Sequence, residues 1–179
     1  AIWNGMVKNQ NDKYIALTAI VLGHVPLAII VLFFTPMITI KSIPYIFISA
    51  IFLAGYEWCL LSAYRLEDYT KVYPIARGSA PIFIVIFSLL FFTINISTFE
   101  LMGIFAISLG IIILSFRNFK DIKNYSAILY AMATGFFISC YSITDGFGGR
   151  ASFSPINYTA WLMIFNATVT FPILLVIMK

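Results

Sequence analysis

Long apolar runs, broken by short polar stretches, cover almost the whole chain. Six of them fall at about 15–35, 43–64, 72–94, 99–116, 125–144 and 157–178. A helix needs about 20 consecutive apolar residues to cross the hydrocarbon core of a bilayer, and these runs meet or approach that length. They are continuously apolar rather than alternating, which predicts helices and not the strands of a membrane barrel. Residues 1–7 read as the end of a preceding span. The chain opens Ala1-Ile2-Trp3-Asn4, with neither Met nor a charged leader to excise. The expectation is therefore a segment of a larger protein. The stub at 1–7 closes span one, and the six runs are spans two to seven. Their connections are too short to hold a soluble domain.

Composition turns this pattern into a class. Mean hydropathy is +0.98, 61% of residues are hydrophobic and 10% are charged. A soluble domain carries about 25% charged residues, so this chain has too little charge to coat a globule of its size. The net charge of +4 reads as loop bias and not as nucleic-acid affinity, because Lys and Arg form no stripe and the aromatics lie inside apolar runs. Cys59 and Cys140 also lie inside apolar runs and read as small packing residues. A disulfide or metal site needs closer spacing or more ligands, and His24 is the one histidine. No metal or cofactor is expected.

The loop charges divide unevenly. Lys8, Lys13, Arg65, Lys71, Arg117, Lys120, Lys123 and Lys179 fall on one side, with Lys41 and Arg150 on the other. The positive-inside rule then places the 8–13, 65–71 and 117–124 loops in the cytoplasm.

Small residues and prolines predict how the helices pack. Ala127, Ala131, Gly135 and Ser139 recur every four residues in span six and form one small face for close helix approach; span five offers Gly103, Ala106 and Gly110. Pro26, Pro81 and Pro172 each remove a backbone hydrogen bond inside a span. Each marks either a kink or a hinge in a cavity wall.

The chain also echoes itself. Trp3-Asn4-Gly5, Lys8, Tyr14 and Pro26 are answered by Thr144-Asp145-Gly146, Arg150, Tyr158 and Pro172, at offsets of 141 for Asn4/Asp145, 142 for Lys8/Arg150, 144 for Tyr14/Tyr158 and 146 for Pro26/Pro172. A repeat of five spans is odd, so the second copy enters the membrane in the opposite direction. Inverted repeats of this kind build many secondary transporters, with substrate bound near the midplane.

Two ionisable residues stand at depth. Arg77 lies in Tyr73-Pro74-Ile75-Ala76-Arg77-Gly78-Ser79-Ala80-Pro81, and Glu57 in Ala54-Gly55-Tyr56-Glu57-Trp58-Cys59. A cation in mid-span costs roughly 2.5–3.5 kcal/mol on insertion scales, so such residues face protein or a water-filled cavity. If spans three and four form a hairpin around 65–71, Arg77 lies opposite about residue 60. Glu57 is then one turn deeper, roughly 4.5 Å at 1.5 Å per residue. The pair is either a static bridge between two helices or a proton- or cation-exchanging carboxylate beside a substrate-facing cation. Asn4, Lys8, Asp145 and Arg150 are either snorkelling helix ends or paired gates at a cavity mouth. His24 reads as an interhelical hydrogen-bonding residue or as a proton relay. Tyr64, Tyr73 and Trp161 read first as interfacial belt residues, while Tyr56, Trp58 and Tyr141 are candidates for a cavity lining.

At these residues the chain resembles the drug/metabolite transporter superfamily, specifically its EamA-like members. Trp3-Asn4-Gly5-Met6-Val7-Lys8 is similar to the end of the family's first helix. Ala63-Tyr64-Arg65 through Val72-Tyr73-Pro74-Ile75-Ala76-Arg77-Gly78 is similar to its third-to-fourth helix segment. Tyr141-Ser142-Ile143-Thr144-Asp145-Gly146, followed by Arg150, is similar to its sixth-helix end. The resemblance implies ten helices in two inverted repeats and transport of small metabolites. It also implies a cytoplasmic N-terminus, which puts the 8–13 and 65–71 loops outside, against the charge count.

The expected fold is thus an all-α, polytopic membrane helix bundle. A first five-helix repeat at 1–123 is nearly complete and a second, at 124–179, is only begun. The expected function is secondary transport of small metabolites or drugs by alternating access, coupled to an ion or proton gradient, in the inner or plasma membrane. Substrate and gating roles fall to Arg77, Glu57, Asn4, Lys8, Asp145, Arg150, Trp3, Tyr73 and Tyr141. Hinge or packing roles fall to Pro26, Pro74, Gly78, Pro81, Gly135, Gly146 and Pro172. The partners are a small-molecule substrate and the lipid bilayer. The rival readings are a membrane scaffold subunit and a lipid-processing enzyme, the latter disfavoured by the absence of a nucleophile–base pair. No Walker-type loop points to ATP.

Overall fold

The computed structural model describes residues 13–91, 97–119 and 124–177, and these are helical, with no strand among them. Six α-helices are described: α1 (Lys13–Phe33), α2 (Ile43–Leu66), α3 (Tyr69–Phe91), α4 (Thr98–Phe119), α5 (Tyr125–Ala151) and α6 (Pro155–Ile177). A single 3₁₀ turn, Ile40–Ser42, leads into α2. Among the described residues, Ile40–Leu66, Tyr69–Phe91 and Tyr125–Ala151 are long and apolar enough to cross a membrane. Shorter apolar stretches occupy Thr18–Phe33 and Thr98–Ile111. By length and composition this is a membrane protein.

Polar residues at the breaks explain where the helices begin. Asp68 caps α3, accepting through Oδ1 from the Thr70 backbone N–H at 3.2 Å. Ser97 and Glu100 form a reciprocal capping box on α4: the Ser97 N–H donates to Glu100 Oε2 at 2.8 Å, and the Glu100 N–H to Ser97 Oγ at 3.3 Å. Asn124 caps α5 by accepting from the Ser126 N–H at 3.0 Å. Ser154 stands before Pro155, the first residue of α6, where proline's missing N–H costs nothing. Helix α5 runs beyond its apolar stretch, through Gly146, Gly148 and Gly149 to Ala151, and none of these glycines takes a positive φ.

The chain forms two compact units: residues through Ala54 with those from Tyr141 onward, and Gly55–Cys140. In the first unit α1 packs along α6. The two run antiparallel, since the second half of α1 (Leu27, Ala28, Val31) and the first half of α6 (Ile156, Ala160, Met163) line one groove. Asn157, at the start of α6, donates through Nδ2 to Thr35 Oγ1 at 2.9 Å and to the Pro36 carbonyl at 2.7 Å, just past the end of α1. The core of this unit is Ile46, Ala50, Tyr158 and Leu162, with Tyr45, Trp161, Phe165 and Val169 against it.

In the second unit α3 packs along α4. The small face of α5 is buried as its spacing predicts: Ala127, Ala131 and Ser139 are fully enclosed, and a Cβ on Gly135 would meet the Ala76 carbonyl oxygen at 2.9 Å. The Thr134 and Ser139 hydroxyls donate back to the Tyr130 and Phe136 carbonyls, each at 2.7 Å, so neither is stranded in apolar surroundings. The matching face of span five behaves otherwise. Gly103, Ala106 and Gly110 are exposed, with nothing within 4 Å of a Cβ built on either glycine, so no close helix approach occurs there among the described residues.

Glu67 ties two connections of this unit together. Its Oε2 pairs with Lys71 Nζ at 3.1 Å, and its Oε1 accepts from the Asn124 backbone N–H at 3.1 Å. The α2–α3 turn and the start of α5 therefore lie at the same end of the unit. Large apolar side chains on the helix surfaces, among them Phe33, Phe91, Phe99, Phe105 and Leu129, are exposed. Apolar surface on this scale suits lipid contact and not water.

Candidate functional site

Each unit sets ionisable residues into its apolar helices: Arg77 and Glu57 in one, Asp145 in the other. In the Gly55–Cys140 unit, Arg77 lies on α3 with its guanidinium carbon 5.6 Å from the centroid of the Tyr73 ring, one turn earlier. Ile75, Ala76, Gly78 and Ala80 around it are buried. The string Ala76-Arg77-Gly78-Ser79 thus has two faces. Ala76 and Ser79 meet α5 at Gly135, and Arg77 projects from the remainder. Pro81, inside α3, has no N–H to offer the residue four positions earlier, Arg77. Pro74 likewise has none to offer Thr70.

Glu57 is on α2 in the same unit and is 8% exposed. Both Glu57 and Arg77 interact with other groups of the protein. Buried Tyr64 sets its ring edge-on to Tyr69 at 6.4 Å. It is a core residue and not the interfacial belt residue expected from its place near a span end. Trp58 is half-exposed and meets Tyr130 edge-on at 5.9 Å. Neither Cys59 nor Cys140 forms a disulfide.

The other unit holds Asp145, on α5. The Ser49 hydroxyl from α2 donates to Asp145 Oδ1 at 2.5 Å, and the Tyr158 hydroxyl from α6 donates to the same oxygen at 2.9 Å. Ser49 is fully buried and Tyr158 is 2% exposed. The phenol reaches the carboxylate because Gly148 has no side chain: a Cβ there would lie 2.5 Å from Tyr158 Cζ and 2.6 Å from its oxygen. Tyr45 stacks on Phe147 at 6.5 Å beside this cluster. Arg150 is exposed in the last turn of α5, where the helix dipole favours a cation. Tyr141 is half-buried one turn before Asp145, and Gly146 borders open space.

The structure joins Asp145 to residues that the sequence did not single out as site members. Ser49 is a serine in an apolar run, 96 positions from its partner. Tyr158 stood out as the repeat counterpart of Tyr14 and not as a ligand of Asp145. Trp3, Asn4 and Lys8 lie outside the described residues. His24 is exposed on the wall of the groove between α1 and α6, a cavity of about 400 Å³, and makes no interhelical hydrogen bond among the described residues. Pro26 is exposed on α1, and Pro172 is exposed on α6.

What fold and sites define together is an all-helical membrane protein with charged and hydrogen-bonded groups set into apolar helices. Compared with protein-family models, curated proteins and solved structures, the chain matches none.

Proposed function

We propose that the chain belongs to a multi-pass secondary transporter of small metabolites, of the drug/metabolite (EamA-like) type, working by alternating access. The observation that carries this reading is the set of ionisable residues inside apolar helices: Arg77 and Glu57 in one unit and Asp145 in the other. Such residues are costly in a membrane and, where they persist, mark substrate or ion pathways. A transporter needs polar groups at depth that solute can reach. A lipid-exposed scaffold does not.

In this reading α1 and α6, which pack together, are equivalent members of an inverted repeat. The proposed internal repeat equates these two helices through Tyr14/Tyr158 and Pro26/Pro172, and an inverted repeat sets equivalent helices in opposite directions. The antiparallel contact of α1 with α6 is consistent with that relation. In this reading Arg77 faces the solute, with Tyr73 holding its guanidinium and Glu57 as the nearby carboxylate. Asp145 and Arg150, in the last turns of α5, are the gating groups of this reading, with the roles expected of Asn4 and Lys8 falling outside the described residues. The six apolar runs are spans two to seven.

A thermal-stability screen of the full-length protein against a metabolite library tests the proposal, because a ligand bound by the native state raises its apparent stability by mass action. The expected result is one chemical class of small solute that raises the Tm of the wild type and not that of Arg77→Leu. If the wild type is stabilised by no solute, or Arg77→Leu is stabilised equally, the proposal fails.

A further inference from the structure

We propose that Asp145 is a proton-binding site, with Ser49 and Tyr158 as the hydroxyls that hold its carboxyl group in both charge states. This rests on the transporter reading and deepens it by assigning the coupling ion.

The geometry is that of a switchable acid. Two hydroxyls, from α2 and α6, converge on one oxygen of a carboxyl on α5. A hydroxyl is both donor and acceptor, and its hydrogen rotates to suit. When the carboxylate is ionised, Ser49 and Tyr158 donate to it. When it is protonated, the new O–H donates to one of them. The same three groups stay in hydrogen-bonding reach in both states, so the site can cycle without unfolding its surroundings.

The partners of Asp145 are neutral. Ser49 faces it from α2 and the phenol of Tyr158 from α6, while Tyr45 on α2 is stacked on Phe147. Among the described residues Asp145 forms no ion pair. Its own helix carries Arg150, which is exposed in the last turn. A buried structural carboxylate is normally matched by a cation. Among the described residues no cation supplies that match, and a species that arrives and leaves can supply it. A hard divalent cation takes about six oxygen ligands, whereas the cluster offers three oxygen-bearing side chains. A proton needs one oxygen.

The glycines one turn beyond Asp145 complete the site. Gly148 gives up its side-chain volume to the Tyr158 ring, and open space borders Gly149, with nothing within 4 Å of a Cβ built there. One glycine seats the hydroxyl and the other leaves an opening beside the same turn. The proton comes from the aqueous phase onto the Asp145 carboxylate and gives a neutral carboxylic acid. It returns to water by the reverse step, and Ser49 and Tyr158 keep their own protons throughout.

Infrared titration of the full-length protein in lipid bilayers tests this without any need for transport. The wild type should show a carboxylic-acid C=O band that grows as the pH is lowered. Asp145→Asn should lose that band and Glu57→Gln should keep it. Tyr158→Phe, which retains the carboxyl group, should shift its frequency because one hydrogen-bond partner is gone. A titrating band that survives in Asp145→Asn and is unmoved in Tyr158→Phe overturns the proposal, as does the lack of any titrating band. Solute flux under an imposed pH gradient, measured in parallel, separates the two levels of the argument. An Asp145 band without flux of any solute supports the proton site and contradicts the transporter reading. Flux without an Asp145 band does the reverse.

Discussion

The hydroxyl of Tyr158 donates to Asp145 at 2.9 Å across the interval between α6 and α5, and it reaches that position because residue 148 is glycine. A side chain at 148 and the Tyr158 ring cannot occupy the same volume. The hydrogen bond at residue 145 is thus set by a backbone three residues further along. The buried phenol has no cheap way to move aside, being part of the core with Ile46, Ala50 and Leu162.

Gly148→Ala is therefore expected to destabilise the protein, by about 1–3 kcal/mol as for other overpacked cores. Gly146→Ala serves as the control. It lies in the same helix, borders open space and has no positive φ, so it should be neutral or stabilising by about 0.5–1 kcal/mol, the usual helix-interior difference between glycine and alanine. Thermal unfolding in one detergent compares the two, and equal Tm values would contradict the packing argument.

The same contrast holds between α5 and α4. Gly135→Val pushes a branched side chain into Ala76 and Ser79 and should cost about 1–3 kcal/mol or block folding. Gly110→Ala on α4 meets nothing within 4 Å and should leave the Tm unchanged or higher. Both glycines belong to small-residue patterns of similar appearance in the sequence, so the Tm difference reports which face is packed.

Glu67 makes a sharper prediction about connections than about charge. Its pair with Lys71 crosses the α2–α3 turn, and because water still reaches the Lys71 side chain, which is 21% exposed, the pair contributes about 1 kcal/mol or less. Its bond from the Asn124 N–H joins the start of α5 to the α2–α3 turn. Glu67→Ala should cost about 1–3 kcal/mol, because it strands that N–H, while Lys71→Ala should cost less than half as much. Chemical or thermal denaturation of the two variants checks the order. Equal losses would mean that the ion pair, and not the Asn124 bond, is what matters.

Much of the helical layout was legible in the apolar runs. The run at 43–64 became Ile43–Leu66 and that at 99–116 became Thr98–Phe119, because polar caps such as Asp68, Asn124 and the Ser97/Glu100 box sit in the breaks. The α5 end was misjudged by about two turns. Glycines 146, 148 and 149 follow the apolar run yet stay helical, and of the three only Gly148 is packed, against Tyr158. The buried face of α5 was readable from its four-residue spacing, and the open face of α4 was not, since a small-residue pattern can face protein or lipid. The site was legible in part. Arg77, Glu57 and Asp145 stand out because charge is rare in these helices, whereas Ser49 does not, because a serine in an apolar run carries no mark of the residue 96 positions away that it serves. Tyr64 misled by lying near a helix end, where tyrosines often meet the interface. Here the hairpin turn tucks it into the core.

The claim that Arg77 faces a transported solute is tested most directly by flux. The full-length protein and its Arg77→Leu and Arg77→Lys variants are reconstituted into liposomes, and uptake of the solute that stabilises the wild type is measured at matched levels of inserted protein. The account predicts that Arg77→Leu inserts normally and loses transport. It predicts that Arg77→Lys retains a fraction, since the charge survives while the planar contact with Tyr73 is weakened. Wild-type flux in Arg77→Leu would contradict the account.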